Sequence, residues 1–182
     1  MSADERFLYT DAFALSAMPL IASHVRTACH DPENAVAREA LMLAASQAGM
    51  AFSNASVALV HGMSRPIGAH FHVAHGLSNA MLLPAVTAFS VEAAPERYAT
   101  CARVTGWARD SDSDAVACRK LVEELVRLND DLRVPRPSDL GHAGDDAMFK
   151  PMAEQALASG SPQNNPRVPS AEDIVALYHE IW

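Results

Sequence analysis

Charged side chains are almost missing from the middle of this sequence. They make up 20% of the 182 residues, yet between Ala40 and Val91 the only Asp, Glu, Lys or Arg is Arg65. Because charged residues are rarely buried without a partner, a long span that excludes them is expected to form the protein interior. We therefore expect the later, more charged segments to pack around it.

Positive charge is also scarce. The 14 Lys and Arg are outnumbered by 22 Asp and Glu, which gives a formal net charge of −8, and they form no basic cluster. Nucleic acids are bound through clustered positive charge, so no nucleic acid partner is expected.

Cysteine pairs and export signals are absent as well. Cys29, Cys101 and Cys118 are widely separated and form no C-x-x-C motif, which is typical of reduced thiols in a cytoplasmic protein. The segment Ala40–Ser64 is uncharged and long enough to cross a bilayer, but Ser, Gln, Asn and His interrupt it. We expect neither a membrane span nor a secretory leader, and the predicted location is the cytoplasm.

Apolar spacing and capping residues predict roughly eight helices and no strand. The predicted helices begin near Thr10 or Asp11, Asp31, Phe52, Gly76, Pro95, Ala115, Ala147 and Ile174. The predicted fold class is therefore all-α, a multi-helix bundle. Residues 1–9 are expected to form an N-terminal tail and residues 10–182 a single helical domain.

Two histidines in the uncharged span are placed to meet. The third predicted helix ends at Ser64, because the residue before a proline resists helical geometry, and Pro66–Ala74 is then a loop. His61 thus falls at one helix end and His75 at the start of the next helix. A loop that folds back would bring both imidazoles to one point.

Glycines support this arrangement, since one follows each of the two histidines and Gly68 lies between them, and glycine permits close backbone approach. Spacing alone leaves two alternatives, a joint metal site or ordinary hydrogen-bonded histidines. His70 and His72 are either spare ligands or side chains that line the pocket, and the second alternative is favoured because no carboxylate supports them. The remaining histidines are interpreted as surface or structural residues: His24, His30, His142 and His179.

The run Asp110-Ser-Asp112-Ser-Asp114 is similar to the start of a calcium-binding loop. Ala115 stands where such a loop needs its sharp-turn glycine, and Leu121 stands where it needs a bidentate glutamate. We interpret the run as a solvated turn that caps the following helix.

Three segments of the chain carry a specific set of motifs. They are Gly49-Met-Ala-Phe-Ser-Asn54, Leu59-Val-His61-Gly-Met-Ser-Arg-Pro-Ile-Gly68-Ala and His75-Gly-Leu-Ser-Asn-Ala-Met-Leu-Leu-Pro84. Together they resemble the signature of the iron-dependent (group III) alcohol dehydrogenases, a family that includes lactaldehyde reductases and 1,3-propanediol dehydrogenases. The likeness extends from about Thr10 to the C-terminus.

The resemblance implies the helical C-terminal half of an enzyme that interconverts a small alcohol and an aldehyde, with NAD(P) bound by an N-terminal half. In this family an Asp and three His hold Fe(II), sometimes zinc, and His61 and His75 match the last two of these ligands. The metal acts as a Lewis acid toward the alcohol oxygen, and hydride passes to the nicotinamide.

The resemblance also draws attention to Arg65, which stands where several family members have a histidine near the active site. As the only charge in the central span, Arg65 is either paired with a distant acidic residue or faces a cleft. In a cleft it is a candidate catalytic residue that holds an anionic substrate group or a cofactor phosphate.

Two parts of the family pattern have no counterpart in this sequence. The first two metal ligands form an Asp-x-x-x-His pair, but no histidine here follows an Asp or Glu by four residues. A glycine-rich phosphate loop for a dinucleotide is also missing. We expect a truncated chain that is not active alone and that functions as a homo-oligomer or with a complementing NAD-binding chain. The alternative is a non-catalytic remnant that serves as a helical interaction or self-associating domain.

Overall fold

The computed structural model describes residues 8–182, which form helices joined by short connections. No strand occurs among these residues, so the predicted all-α fold class is confirmed. The eight α-helices in this range are α1 (Leu8–His30), α2 (Ala35–Ala55), α3 (Leu59–Phe71), α4 (His75–Ser90), α5 (Pro95–Val104), α6 (Asp114–Asp131), α7 (Asp146–Ala158) and α8 (Ala171–Ile181). Short 3₁₀ turns cover Val91–Ala93, Ser138–Leu140 and Ser161–Asn164.

The predicted N-terminal tail over residues 1–9 lies mostly outside the described residues. Its last two residues, Leu8 and Tyr9, already belong to α1. The helix therefore starts slightly earlier than the predicted start at Thr10 or Asp11, and it contains Pro19.

The chain forms two compact units. Among the described residues, the first unit comprises residues 8–56 and Glu96–Leu121, and the second comprises Val57–Pro95 and Val122–Trp182. The proposal of one helical domain over residues 10–182 stays a prediction. Both candidate metal ligands and Arg65 lie in the second unit.

In the first unit, α1 and α2 pack together through small side chains. Residues seven apart lie on one face of a helix because seven residues make two turns. The buried residues repeat at this spacing in both helices: Thr10 and Ala17 in α1, and Ala37, Ala44 and Ala51 in α2. Small side chains let the two backbones approach closely.

A second stripe on α2 corrects the prediction that the whole uncharged span is interior. Val36, Leu43 and Met50 also repeat every seven residues, but they are 71%, 52% and 47% exposed. Met42 and Phe52 are exposed as well, at 70% and 51%. From Ala40 onward, the lack of charge in α2 therefore marks an apolar surface rather than a buried helix.

The second unit contains the main apolar core, which α3, α4, α7 and α8 build. Its fully buried side chains include Leu59, Met63, Ile67, Leu82, Phe149, Met152, Ile174 and Tyr178. Here the prediction of a buried, uncharged span is confirmed, because α3 and α4 both belong to that span.

The structure also shows that the predicted third helix over Phe52–Ser64 is wrong at both ends. Phe52 belongs to α2, and the new helix runs from Leu59 to Phe71 with Pro66 inside it. Proline in a helix interior costs about 3 kcal/mol, whereas a fully buried Ile or Met contributes about 1.5–3 kcal/mol. Met63 and Ile67 are both 0% exposed, so their burial offsets the cost and the helix continues.

Helix starts follow the capping residues. Ser170 accepts a hydrogen bond from the Asp173 backbone N–H and donates its own N–H to the Asp173 carboxylate, a capping box that starts the last helix. The second helix begins later than predicted, because Asn34 rather than Asp31 accepts the bond from the Ala37 N–H.

The aspartates at 110–114 act as turn and ion-pair residues. Asp112 Oδ2 accepts hydrogen bonds from the Arg109 backbone N–H at 2.8 Å and from Lys120 Nζ at 2.7 Å. Asp114 pairs with Arg103 at 2.7 Å. These contacts agree with a capping turn rather than a calcium loop.

Within residues 8–182, no single helix is both long and apolar enough to cross a membrane. The segments of α2 and α3 reach that length and composition only when they are joined end to end. They are two separate helices.

Candidate metal centre

His61 lies in the first turn of α3, where the helix is packed tightly against the chain that follows α7. A Cβ added to Gly62 would lie 2.9 Å from both Cδ and Cγ of Pro162, closer than such atoms normally approach. The predicted close approach beside His61 is therefore present, and Pro162 is the neighbour. This contact fixes the turn that carries the half-buried His61 imidazole.

The chain turns back immediately after α3. His72 has a left-handed φ of 57°, and its N–H donates to the Gly68 carbonyl at 3.0 Å. A Cβ at Gly68 would lie 3.4 Å from the Val73 carbonyl oxygen, so the connection lies against the last turns of α3. The predicted loop is shorter than expected, but His75 begins α4, as predicted.

The two candidate ligands face each other. The ring centres of His61 and His75 are 5.2 Å apart, and the ring planes are inclined by 55°. Two imidazoles that bind one ion through nitrogens about 2.1 Å away have their centres about 5 Å apart. The spacing therefore fits two ligands of one metal ion.

The protonation of His61 suits the same role. Burial lowers the pKa of His61, and the neighbouring His75 and Arg65 lower it further. A metal binds the neutral imidazole. The site thus holds His61 in the form that binds a cation.

The number of donors is smaller than a tight site requires. Among residues 8–182, no group of three or more His, Cys, Asp or Glu is arranged to hold a metal ion. The donor chemistry and spacing of His61 and His75 fit Fe(II) or zinc, but they supply only two of the usual four ligands.

Asn79 is a further polar residue at this centre. It lies one turn after His75 on α4, and its Nδ2 is 3.2 Å from His75 Nε2. Asn79 Oδ1 is buried and has no hydrogen-bond partner among the described residues.

His70 and His72 are not grouped with the two candidate ligands. His70 Nε2 lies 3.0 Å from the Gln155 side-chain oxygen, and His72 is the exposed cap residue of α3. His179 also has a partner elsewhere, since its Nε2 lies 2.7 Å from Asp146 Oδ1. The interpretation of His70 and His72 as side chains that line the pocket, rather than as spare ligands, stays a prediction.

Arg65 lies one helical turn after His61 and is exposed. Within the described part of the chain, no carboxylate lies within ion-pair distance of its guanidinium, so the alternative of a distant acidic partner finds no support there. Its positive charge is the smallest of the three causes, after burial and His75, that lower the pKa of His61. The assignment of Arg65 as a catalytic residue stays a prediction.

The described residues define an all-helical class of fold in which two imidazoles lie next to each other. The profile of the Fe-containing alcohol dehydrogenase family, C-terminal, matches residues 4–182. The chain belongs to this family of oxidoreductases.

Individual relatives agree with this assignment. The chain is 37% identical to 1,3-propanediol dehydrogenase of Klebsiella pneumoniae over 174 residues, which cover 95% of this chain and 44% of the relative. It is 36% identical to lactaldehyde reductase of Escherichia coli K12 over the same shares of both chains. The chain therefore spans somewhat less than half the length of these relatives.

Solved structures show the same fold. A 1,3-propanediol oxidoreductase superposes with a TM-score of 0.92 at 34% identity, covering 98% of this chain and 47% of that one. An alcohol dehydrogenase from Oenococcus oeni superposes with a TM-score of 0.90 at 33% identity, covering 98% of this chain and 46% of that one.

The contact between Asn79 and His75 was not predicted from the sequence. The spacing itself was informative, because residues four apart on a helix are neighbours. The pairing of His70 with Gln155 had no comparable sequence signal, since the two residues are 85 positions apart.

Proposed function

We propose that this chain is the helical half of an NAD(P)-linked alcohol dehydrogenase that transfers hydride between a small alcohol and its aldehyde. The observation that carries the proposal is the pair of imidazoles with centres 5.2 Å apart. The names of the relatives, 1,3-propanediol dehydrogenase and lactaldehyde reductase, support a short-chain alcohol or aldehyde as the substrate class.

His61 and His75 would hold the metal, Fe(II) or zinc. When bound, such an ion supplies Lewis-acid stabilisation of negative charge on the alcohol oxygen. His61 contributes a neutral nitrogen because its pKa is lowered. Arg65, exposed one turn further along α3, supplies a permanent positive charge suited to a carboxylate or phosphate group.

The remaining parts of the enzyme must come from outside these 182 residues. Two imidazoles leave a four-coordinate site half complete, and no glycine-rich loop in the sequence suits a pyrophosphate. We therefore infer that the chain needs two further ligands and a dinucleotide site from a complementing NAD-binding chain or segment.

A complementation assay tests this function. The purified chain, supplied with Fe(II) or Zn(II), NAD and 1,2-propanediol or 1,3-propanediol, is expected to form no NADH. Addition of the N-terminal half of a 1,3-propanediol dehydrogenase is expected to restore NADH formation, which His75→Ala then abolishes. Turnover by the purified chain alone would contradict the dependence on a second part.

A second function is favoured by the exposed stripe on α2. Val36, Leu43 and Met50 repeat every seven residues and are about half exposed or more, which is the spacing of a helix that pairs with another helix. The alternative is therefore a non-catalytic domain that self-associates through α2.

Light scattering coupled to size exclusion tests the alternative. Self-association through α2 predicts a concentration-dependent dimer that Leu43→Lys converts to a monomer. Val126→Lys is the matched control, because Val126 is similarly exposed (46%) but lies on α6. A monomer at all concentrations would contradict this second function.

A further inference from the structure

The side chain of Asn79 is the hydrogen-bonding neighbour of the His75 imidazole in the described part of the chain. Its Nδ2 lies 3.2 Å from His75 Nε2. His75 is exposed, and its ring contact is with His61. The orientation of the ring therefore depends on two side chains, and Asn79 provides the polar contact.

The chemistry of the amide decides which atom donates and which accepts in this hydrogen bond. An amide nitrogen carries hydrogens and only donates, so His75 Nε2 must accept. In a neutral imidazole the bond made by one nitrogen decides which nitrogen carries the proton. A His75 ring that accepts from this amide carries its proton on Nδ1 and its lone pair on Nε2.

Packing does not explain an amide at this position. Asn79 Oδ1 is buried without a partner among residues 8–182, and an unsatisfied buried acceptor destabilises the folded state. An apolar side chain of the same shape would avoid that cost. What the amide contributes is the bond from Nδ2 to His75.

We propose that Asn79 is a positioning residue for His75. Its amide N–H holds the imidazole beside His61 in the Nδ1–H form, with the lone pair on Nε2. The purpose of this arrangement rests on the proposed function, since Nε2 is then the nitrogen that offers its lone pair to a metal ion. A cation that binds there must displace the amide hydrogen.

A second histidine in the same unit provides the opposite case. His70 Nε2 lies 3.0 Å from Gln155 Oε1. The amide oxygen only accepts, so His70 Nε2 donates and carries the proton. His75 and His70 are therefore expected to be opposite tautomers in one protein.

Nitrogen NMR of the metal-free full chain tests the proposal. Proton-bearing and lone-pair imidazole nitrogens have distinct ¹⁵N shifts, and spectra are recorded at about pH 8.5, roughly two units above the ordinary His pKa of about 6.5. We expect His75 with the proton on Nδ1 and His70 with the proton on Nε2. A wild-type His75 with the proton on Nε2 would overturn the proposal.

A matched pair of variants tests the cause. Asn79→Asp replaces the donor with an acceptor of the same shape, so the two ¹⁵N resonances of His75 are expected to exchange positions. Gln155→Glu makes the same amide-to-acid change beside His70, where an oxygen already accepts, so His70 is expected to keep its tautomer. An unchanged His75 in Asn79→Asp would refute the positioning role.

This experiment is independent of the proposed function because it contains no metal and no substrate. Failure of the chain to bind zinc would count against the metal centre and leave the tautomer result standing. The reverse outcome, zinc binding with the wrong His75 tautomer, would refute the role of Asn79 alone.

Discussion

The phenol of Tyr178 donates a hydrogen bond to the backbone carbonyl oxygen of Met63 at 2.8 Å. Tyr178 lies on α8 and is 0% exposed, and Met63 lies on α3 two residues after His61. Burial raises the pKa of Tyr178 far above its usual range, so the phenol stays protonated and continues to donate. The bond joins the last helix to the helix that carries the first candidate ligand.

Replacing Tyr178 with Phe removes this bond and keeps the ring. We expect the free energy of unfolding to fall by about 1 kcal/mol, the usual net value of one hydrogen bond, in urea titrations followed by circular dichroism. Tyr9→Phe is the control, because Tyr9 is 60% exposed and surface changes stay within about 0.5 kcal/mol. Equal losses in both variants would show that the Tyr178 hydroxyl contributes nothing specific.

The two glycines that follow the candidate ligands are expected to respond in opposite directions to alanine. A Cβ at Gly62 meets Pro162 at 2.9 Å, whereas a Cβ at Gly76 meets nothing within 4 Å. Alanine improves helix propensity by about 1 kcal/mol at either position, but at Gly62 overpacking costs about 1–3 kcal/mol.

We therefore expect Gly76→Ala to raise the free energy of unfolding by up to about 1 kcal/mol. Gly62→Ala is expected to lower it by up to about 2 kcal/mol, which is the overpacking cost less the gain in helix propensity. Thermal and urea unfolding of both variants measure the difference. A stabilised Gly62→Ala would mean that the turn containing Pro162 moves freely.

The sequence allowed the candidate site to be predicted better than its supporting helix. His75 was expected at a helix start and lies there, and a fold-back toward His61 was expected and occurs. The end of α3 was wrong because a local rule about Pro66 was outweighed by burial of Met63 and Ile67. Tertiary packing of this kind is not visible in local propensity.

The absence of charge was informative for one part of the span and misleading for another. It correctly marked α3 and α4 as buried, but Met42, Leu43 and Met50 of α2, which belong to the same span, are exposed. Composition shows that a segment is apolar. It does not show whether other residues of the same chain bury that segment, as happens for α3 and α4, or leave it exposed, as happens for these α2 residues. The partner of His70, Gln155, is set by the contact of α3 with α7 and was not predictable from spacing.

Acid is expected to destabilise the chain partly through Asp112. Hydrogen bonds from Lys120 and from the Arg109 backbone lower the pKa of Asp112. The folded chain therefore keeps this carboxylate ionised at a pH where the unfolded chain binds a proton. The resulting stability is present above the unfolded pKa of about 3.9 and is lost as the pH falls through the lower folded pKa.

Asp112→Asn is expected to flatten the loss of unfolding free energy between about pH 5 and pH 2, measured by urea titration at each pH. Asp110→Asn, an exposed neighbour in the same turn, is the control and should follow the wild-type curve. If Asp112→Asn and the wild type lose stability in parallel, the ion pair with Lys120 does not persist in solution.

Zinc binding provides the direct test of the paired imidazoles. Two ligands are expected to hold Zn(II) weakly, and either His61→Ala or His75→Ala should reduce the affinity by about tenfold or more, because a tetrahedral site depends on each ligand. Isothermal titration calorimetry at neutral pH measures this change. His179→Ala removes an exposed imidazole whose partner is Asp146, so it should leave the affinity unchanged. An equal loss in all three variants would show adventitious binding to surface histidines. In that case the 5.2 Å distance between the ring centres of His61 and His75 would not reflect a shared metal site.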